Sequence, residues 1–195
     1  MSRRALGWTA CDGGWLDGAR AVPSPHRDAR PAGAAIDLLV VHHISLPPGR
    51  FSGDSIERLF TGLLDPDAHP YFAQLRGLRV SAHFLIRRRG ELLQFVGCDE
   101  RAWHAGASAF LGRERCNDFS IGVELEGDAF TRFTQAQYRR LAALTALLCE
   151  RHRLRWVAGH SDIAPGRKDD PGPFFDWTRY LESVRGTGLR RPFDD

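Results

Sequence analysis

The chain has 195 residues, 43% of them hydrophobic and 26% charged, which suits one domain able to bury a core. Its 27 Lys and Arg against 24 Asp and Glu leave a net charge of only +3, and no basic block stands out, so a nucleic-acid partner is not expected. The opening residues lack an apolar core of signal-peptide length, and no window approaches the ~18 apolar residues of a membrane span, so a cytoplasmic protein without a membrane partner is expected.

Residues 20–35 are rich in Pro, Ala and Arg and read as an extended surface arm. IDLLVVH, 36–42, is a near-continuous apolar run with β-branched residues and predicts a central buried strand that SLPPG stops. Residues 55–64 have helical spacing, with Asp54 as the expected cap. Residues 65–80 read as an irregular loop. SAHFLIRRRG and ELLQFVG, 81–97, predict a hairpin, and 103–117 another long loop. FSIGVELEG, 119–127, alternates as a strand does. Thr134 and Gln137 make a capping box before the strongest helix, whose stripe is Tyr138, Leu141, Leu144 and Leu148. WVAG, 156–159, reads as a short strand and 175–186 as a final helix. The order β-α-β-β-β-α-β-α predicts an α/β (α+β) fold, a central mixed β-sheet flanked by helices. Cys11, Cys98, Cys116 and Cys149 show no CxxC spacing, so free thiols are expected rather than a cysteine-built metal site.

The stretch GHSDIAPGRKDDPGP, 159–173, crowds His160, Lys168, Asp169 and Asp170 among glycines and prolines. His42 and His43 end one expected strand and His160 another, and histidines at strand ends are a common way to build a metal site on rigid scaffolding. A catalytic zinc needs three protein ligands and one open position, which His42, His160 and either Asp169 or Asp170 would satisfy. In the alternating strand, Gly122, Glu124 and Glu126 share the face opposite Ile121, Val123 and Leu125. By itself that face reads as solvent-exposed. With ligands gathered over it, Glu124 suits a proton shuttle and Lys168 a cation beside a developing oxyanion.

These segments resemble a known family. VPSPHRDARP, LLVVHHISLPPGRF, DPDAHPYF, LRVSAHFLIRRRGELLQFV, RAWHAGAS, GRERCNDFSIGVELEG and the 159–177 stretch, in that order, are similar to the zinc-dependent N-acetylmuramoyl-L-alanine amidases. They are most similar to the cytosolic enzymes that act on 1,6-anhydro-muramyl peptides in bacterial cell-wall recycling. The resemblance covers most of residues 22 to 177. It implies an amidase fold like that of the peptidoglycan-recognition proteins, one catalytic domain over 1–195 with its core at about 22–186, and a monomer. It implies one zinc ion held by His42, His160 and Asp170, with Glu124 as acid/base and Lys168 at the transition state. The implied reaction is hydrolysis of the amide joining the lactyl group of muramic acid to the L-alanine of the stem peptide. Arg79 and Arg115 are candidates for gripping peptide carboxylates, which guanidinium groups pair bidentately. Trp103 and His104 are candidates for lining the sugar or peptide pocket. Relatives often carry asparagine where this chain has His43, so His43 is placed at the substrate, with the competing reading that it is the ligand. His26, His69, His83 and His152 are left as structural or surface residues.

Three other functions fit parts of the pattern. A muropeptide-binding module without activity would lack a ligand or the catalytic pair. An amidase of intact cell wall would share the chemistry. A nucleic-acid binder would rest on arginine content alone and would show steep salt dependence.

Overall fold

The computed structural model describes residues 13–193 together with the two-residue strand Gly7–Trp8; Cys11 lies outside the described residues. Six strands form one mixed sheet: β1 (Arg20–Ala21), β2 (Leu38–Ile44), β3 (Phe84–Ile86), β4 (Leu92–Gln94), β5 (Ser120–Glu126) and β6 (Trp156–Gly159). Their order across the sheet is β6-β2-β5-β3-β4-β1. The β3–β4 hairpin is antiparallel and every other neighbour is parallel. The helices are α1 (Ser55–Thr61), α2 (Gln135–Arg151), α3 (His160–Ile163) and α4 (Trp177–Ser183).

Strand alternation gives the sheet two apolar faces. Leu39, Val41, Ile121, Val123 and Val157 pack against Leu141, Leu144 and Leu148 of α2 and Tyr180 of α4. On the other face Leu38, Val40 and Ala158 pack under Phe110, Cys116 and Phe119 of the 103–119 segment. Further along, Leu85 and Leu93 pack against Ile56, Leu59 and Phe60 of α1. Because β5 lies between β2 and β3, with α2 over one face and the 103–119 segment over the other, all seven of its residues are buried, and the expected solvent-exposed side of that strand does not exist. Glu126 there receives Arg87 at 2.7 Å, and the same guanidinium reaches Glu57 at 2.6 Å.

The capping box of α2 is present. Thr134 Oγ1 accepts from the Gln137 amide at 3.1 Å, Gln137 Oε1 accepts from the Thr134 amide at 3.0 Å, and the Thr134 hydroxyl donates to the Arg88 carbonyl at 2.7 Å. Thr134→Ala is expected to cost about 1 kcal/mol of stability, read as a shift of the urea midpoint with an unchanged slope.

Several local expectations change in three dimensions. β2 extends two residues beyond 42, so His42 and His43 lie within the strand and not at its end. Asp54 stands at the cap position of α1 but does not cap; its carboxylate accepts from Arg58 Nε at 2.8 Å instead. Residues Pro70–Leu75 of the expected loop form a 3-10 helix, capped by His69 Nδ1, which accepts from the Tyr71 amide. The 103–117 segment contains a short ribbon, Ala109–Phe110 with Arg113–Glu114. The arm 20–35 is tied into the molecule. Arg27–Ala29 pairs with Glu100–Ala102, and Arg30 donates to the carbonyls of Cys98, Asn117, Asp118 and Ser120. Cys98, Cys116 and Cys149 are free thiols. Among the described residues no helix is long and apolar enough to cross a membrane.

Candidate metal centre and active site

Strand register decides which residues meet. Glu124 of β5 lies directly beside His42 of β2, and Gly159 of β6 lies beside Val41. His160 follows Gly159 as the first residue of α3, so it emerges at the level of His42 on the side away from Glu124. All three stand toward the carboxyl ends of parallel strands, the edge at which open α/β sheets hold their ligands.

The 159–171 segment then folds back on itself. Ala164 N–H donates to the His160 carbonyl, Arg167 and Lys168 N–H to the Ala164 carbonyl, and Ser161 N–H to the Asp170 carbonyl at 2.8 Å. A Cβ on Gly159 would stand 2.6 Å from Pro171 Cδ, so the returning chain can lie this close only over a glycine. The glycines and prolines of the stretch therefore serve a tight return that carries Asp170 back to His160. One helical turn, α3, sits at its start, which the composition did not announce.

The result is a three-atom cluster. His42 Nδ1 is 3.0 Å from His160 Nδ1 and 2.9 Å from Asp170 Oδ2, and His160 Nδ1 is 3.1 Å from that same oxygen. His42, His160 and Asp170 are 1%, 4% and 7% exposed. Burial pulls the His42 pKa down to about 4, so this imidazole is neutral at neutral pH.

The donor set passes a test for a metal. His160 Nε2 faces the Ala105 carbonyl at 3.1 Å, an oxygen that can only accept, so the proton of His160 sits on Nε2 and its Nδ1 presents a lone pair. That lone pair and a carboxylate oxygen point into one small space. Two imidazole nitrogens and one carboxylate oxygen, with an open cleft on the remaining side, make a set that fits zinc.

That cleft has a volume of about 430 Å³. His42, His160, Asp170, Glu124 and Lys168 all line it. Glu124 is 9% exposed, and its Oε2 has no hydrogen-bond partner. Burial, reinforced by the charge of Asp170 and opposed by Lys168, raises the Glu124 pKa well above the ordinary value. An unpartnered carboxyl with a raised pKa beside a ligand cluster is suited to exchanging protons with whatever occupies the cleft. Lys168 and Asp169 are both exposed at the cleft wall, and Asp169 takes no part in the cluster.

The remaining sequence candidates divide. Trp103 lines the cleft, with Nε1 donating to Asp28 at 3.1 Å. His43 also lines it, but alternation sends its side chain to the face opposite His42, and its buried Nε2 has no partner. His104 lines the cleft and is turned inward against His42, with Nδ1 2.9 Å from His42 Nε2. The space left by Gly122 is filled by the His104 ring: a Cβ there would stand 2.5 Å from His104 Cγ. Arg79 and Arg115 are not among the cleft residues. Arg79 stands at an adjoining smaller cavity that shares Leu59 and Leu78 with the cleft, and Arg115 is engaged with Asp118 at 2.6 Å. The Ala105 carbonyl and the Ser120 and Asn117 side chains, which hold the histidines from behind, carry no signal a linear reading could find, because their partners are set by tertiary contact.

Residues 32–173 match the N-acetylmuramoyl-L-alanine amidase family. The chain belongs to that family. It is 60% identical over 169 residues to the 1,6-anhydro-N-acetylmuramyl-L-alanine amidase AmpD of Escherichia coli, covering 86% of this chain and 92% of that protein. A crystal structure of an AmpD derivative superposes with a TM-score of 0.86 at 57% identity, over 90% of this chain and 99% of the other. The E. coli amidase AmiD, solved in complex with the substrate anhydro-N-acetylmuramic acid-L-Ala-D-γ-Glu-L-Lys, superposes at a TM-score of 0.57 with 28% identity, over 92% of this chain and 66% of the other. The mixed sheet flanked by helices is thus the amidase fold, as the sequence segments implied, and the buried triad lies within the matched region.

Proposed function

We propose that this amidase is a cytoplasmic, zinc-dependent hydrolase of peptidoglycan recycling. It would cleave the amide between the lactyl group of 1,6-anhydro-N-acetylmuramic acid and the L-alanine of the stem peptide, the whole chain acting as one catalytic domain. The observation that carries the reading is the convergence of His42, His160 and Asp170 beside an unpartnered, buried Glu124 on one cleft. The high identity to the E. coli anhydro-muramyl amidase supports the anhydro sugar as the preferred form.

His42, His160 and Asp170 would hold the zinc, which when bound supplies an activated water and a positive charge beside the scissile carbonyl. Glu124 takes the proton of the attacking water as the new C–O bond forms. Lys168, on the cleft wall, holds the oxyanion. As the C–N bond breaks, Glu124 returns that proton to the leaving amine, so a carboxylic acid and a free amino terminus are produced. The mouth of the cleft carries exposed Tyr71, Leu78 and Phe130, apolar faces suited to a sugar ring. Arg79, exposed beside the mouth, suits a stem-peptide carboxylate.

Mass spectrometry of products from anhydro-muramyl tripeptide and from the intact, non-anhydro muropeptide, with and without a chelator, tests the reading. Chelator-sensitive release of free peptide is expected, in clear preference from the anhydro sugar. Equal or faster cutting of the intact muropeptide would move the chain to the wall-lytic amidases, and no cutting of either would leave a binding module.

A further inference from the structure

We propose that His104 is a positioning residue that sets the tautomer of His42, at the end of a hydrogen-bond relay that starts from the Cys116 carbonyl and passes through Ser120. The proposal rests on the reading of His42 as a metal ligand. The relay's direction follows from its far end. A carbonyl can only accept, so the Ser120 hydroxyl donates its proton to the Cys116 oxygen at 2.6 Å. Ser120 Oγ then has only lone pairs to offer His104 Nε2 at 3.2 Å, and His104 carries its proton on that nitrogen. A neutral imidazole has a single N–H, which makes His104 Nδ1 an acceptor. It lies 2.9 Å from His42 Nε2, which therefore carries the proton of His42. His42 Nδ1 is left as a lone pair facing His160 Nδ1 and Asp170 Oδ2. Reversing the relay would press two acceptors, Ser120 Oγ and the Cys116 oxygen, together with no proton between them.

The next residue does the same for the second imidazole, since the Ala105 carbonyl accepts from His160 Nε2. Asn117 holds this pair of residues in place: its Oδ1 accepts from the amides of both His104, at 3.1 Å, and Ala105, at 2.8 Å. Gly122 supplies the space, and the His104 and His42 rings meet edge-on with centroids 5.0 Å apart. Both ring nitrogens of His104 are occupied within the protein, which separates this role from a substrate contact. One dipeptide thereby turns both histidine lone pairs toward Asp170. Such outer partners orient ligating imidazoles and raise their basicity, and losing one weakens metal binding by about 10–100-fold.

The test compares wild type, H104F, H104Q and S120A by zinc affinity in chelator competition and by imidazole 15N shifts of the metal-free proteins. Phenylalanine keeps a ring beside Gly122 but accepts nothing; the glutamine amide oxygen can accept from His42 Nε2–H. Wild type should show His42 protonated on Nε2. H104F should bind zinc about 10–100-fold more weakly with His42 in mixed tautomers, H104Q should recover most of that loss, and S120A should fall between. Wild-type zinc affinity in a folded H104F, or H104Q no better than H104F when both melt as wild type, would overturn the relay. Should H104F fail to fold, S120A decides: unchanged zinc affinity with His42 wholly protonated on Nε2 overturns the proposal. Wild type that binds no zinc would sink the metal reading instead, and the metal-free 15N shifts would still judge the relay.

Discussion

Glu124→Gln should abolish turnover while the metal content stays at the wild-type level. Gln is nearly isosteric and cannot exchange a proton, so kcat/KM should drop by about 10²–10⁴-fold, the span general acid–base catalysis supplies. Glu124 is not among the three clustered ligand atoms, so elemental analysis should still find zinc. Near-native activity would remove Glu124 from the mechanism. The same variant has a second, opposite consequence. Burial raises the Glu124 pKa above its ordinary value of 4.5, which means the fold favours the protonated carboxyl. Stability from this group is therefore fully present below pH 4.5 and is lost as pH rises toward the folded pKa. Gln never ionises and escapes that loss. In chelator-stripped protein the variant should melt higher than wild type at neutral pH, and the gap should close below about pH 4. A cleft carboxyl held at a cost in stability is the form expected of a trade between activity and stability. Equal melting temperatures at neutral pH would show that the unpartnered carboxyl carries no such cost.

His160→Ala should lose both zinc and activity. Only two of the clustered atoms would remain, and a catalytic zinc site needs three protein ligands. The fold around the residue should persist, because the Ala105 carbonyl keeps its bond from Arg167 at 2.8 Å and the return loop keeps its backbone bonds. Metal analysis after dialysis, read beside the far-ultraviolet circular dichroism, checks both statements. Full zinc retention in a folded variant would discard His160 as a ligand. His43→Asn is the matched control: its side chain belongs to the other face of β2, so zinc content should not change. Loss of metal there would transfer the ligand role from His42 to its neighbour.

How much of this was legible in the linear chain depended on the range of the interaction. The long helix α2 could be read to within two residues of its ends, since its apolar stripe and its Thr134–Gln137 box lie within a few residues of each other. The alternation of 119–127 and the apolar run from 36 likewise announced two central strands. Motif resemblance named Glu124, His42, His160 and Asp170 together, though spacing alone left Asp169 open beside Asp170 and could not rank His43 below His42. Which of these residues come together follows from strand register and from the return loop. Pairing Val41 with Gly159 and His42 with Glu124 sets the level at which side chains meet, and the Ser161–Asp170 backbone bond selects which aspartate turns inward.

His104 marks the boundary. Its partners are Ser120 and His42, 16 and 62 residues away, and both contacts exist only because the sheet folds the 103–119 segment over Gly122. The sequence by itself determined the elements, the apolar faces and the chemical types available at the carboxyl ends of the strands. Only the tertiary structure decided which nitrogen of each histidine faces the site, because a tautomer is set by the hydrogen bond on the ring's far side, and that partner is distant in the chain.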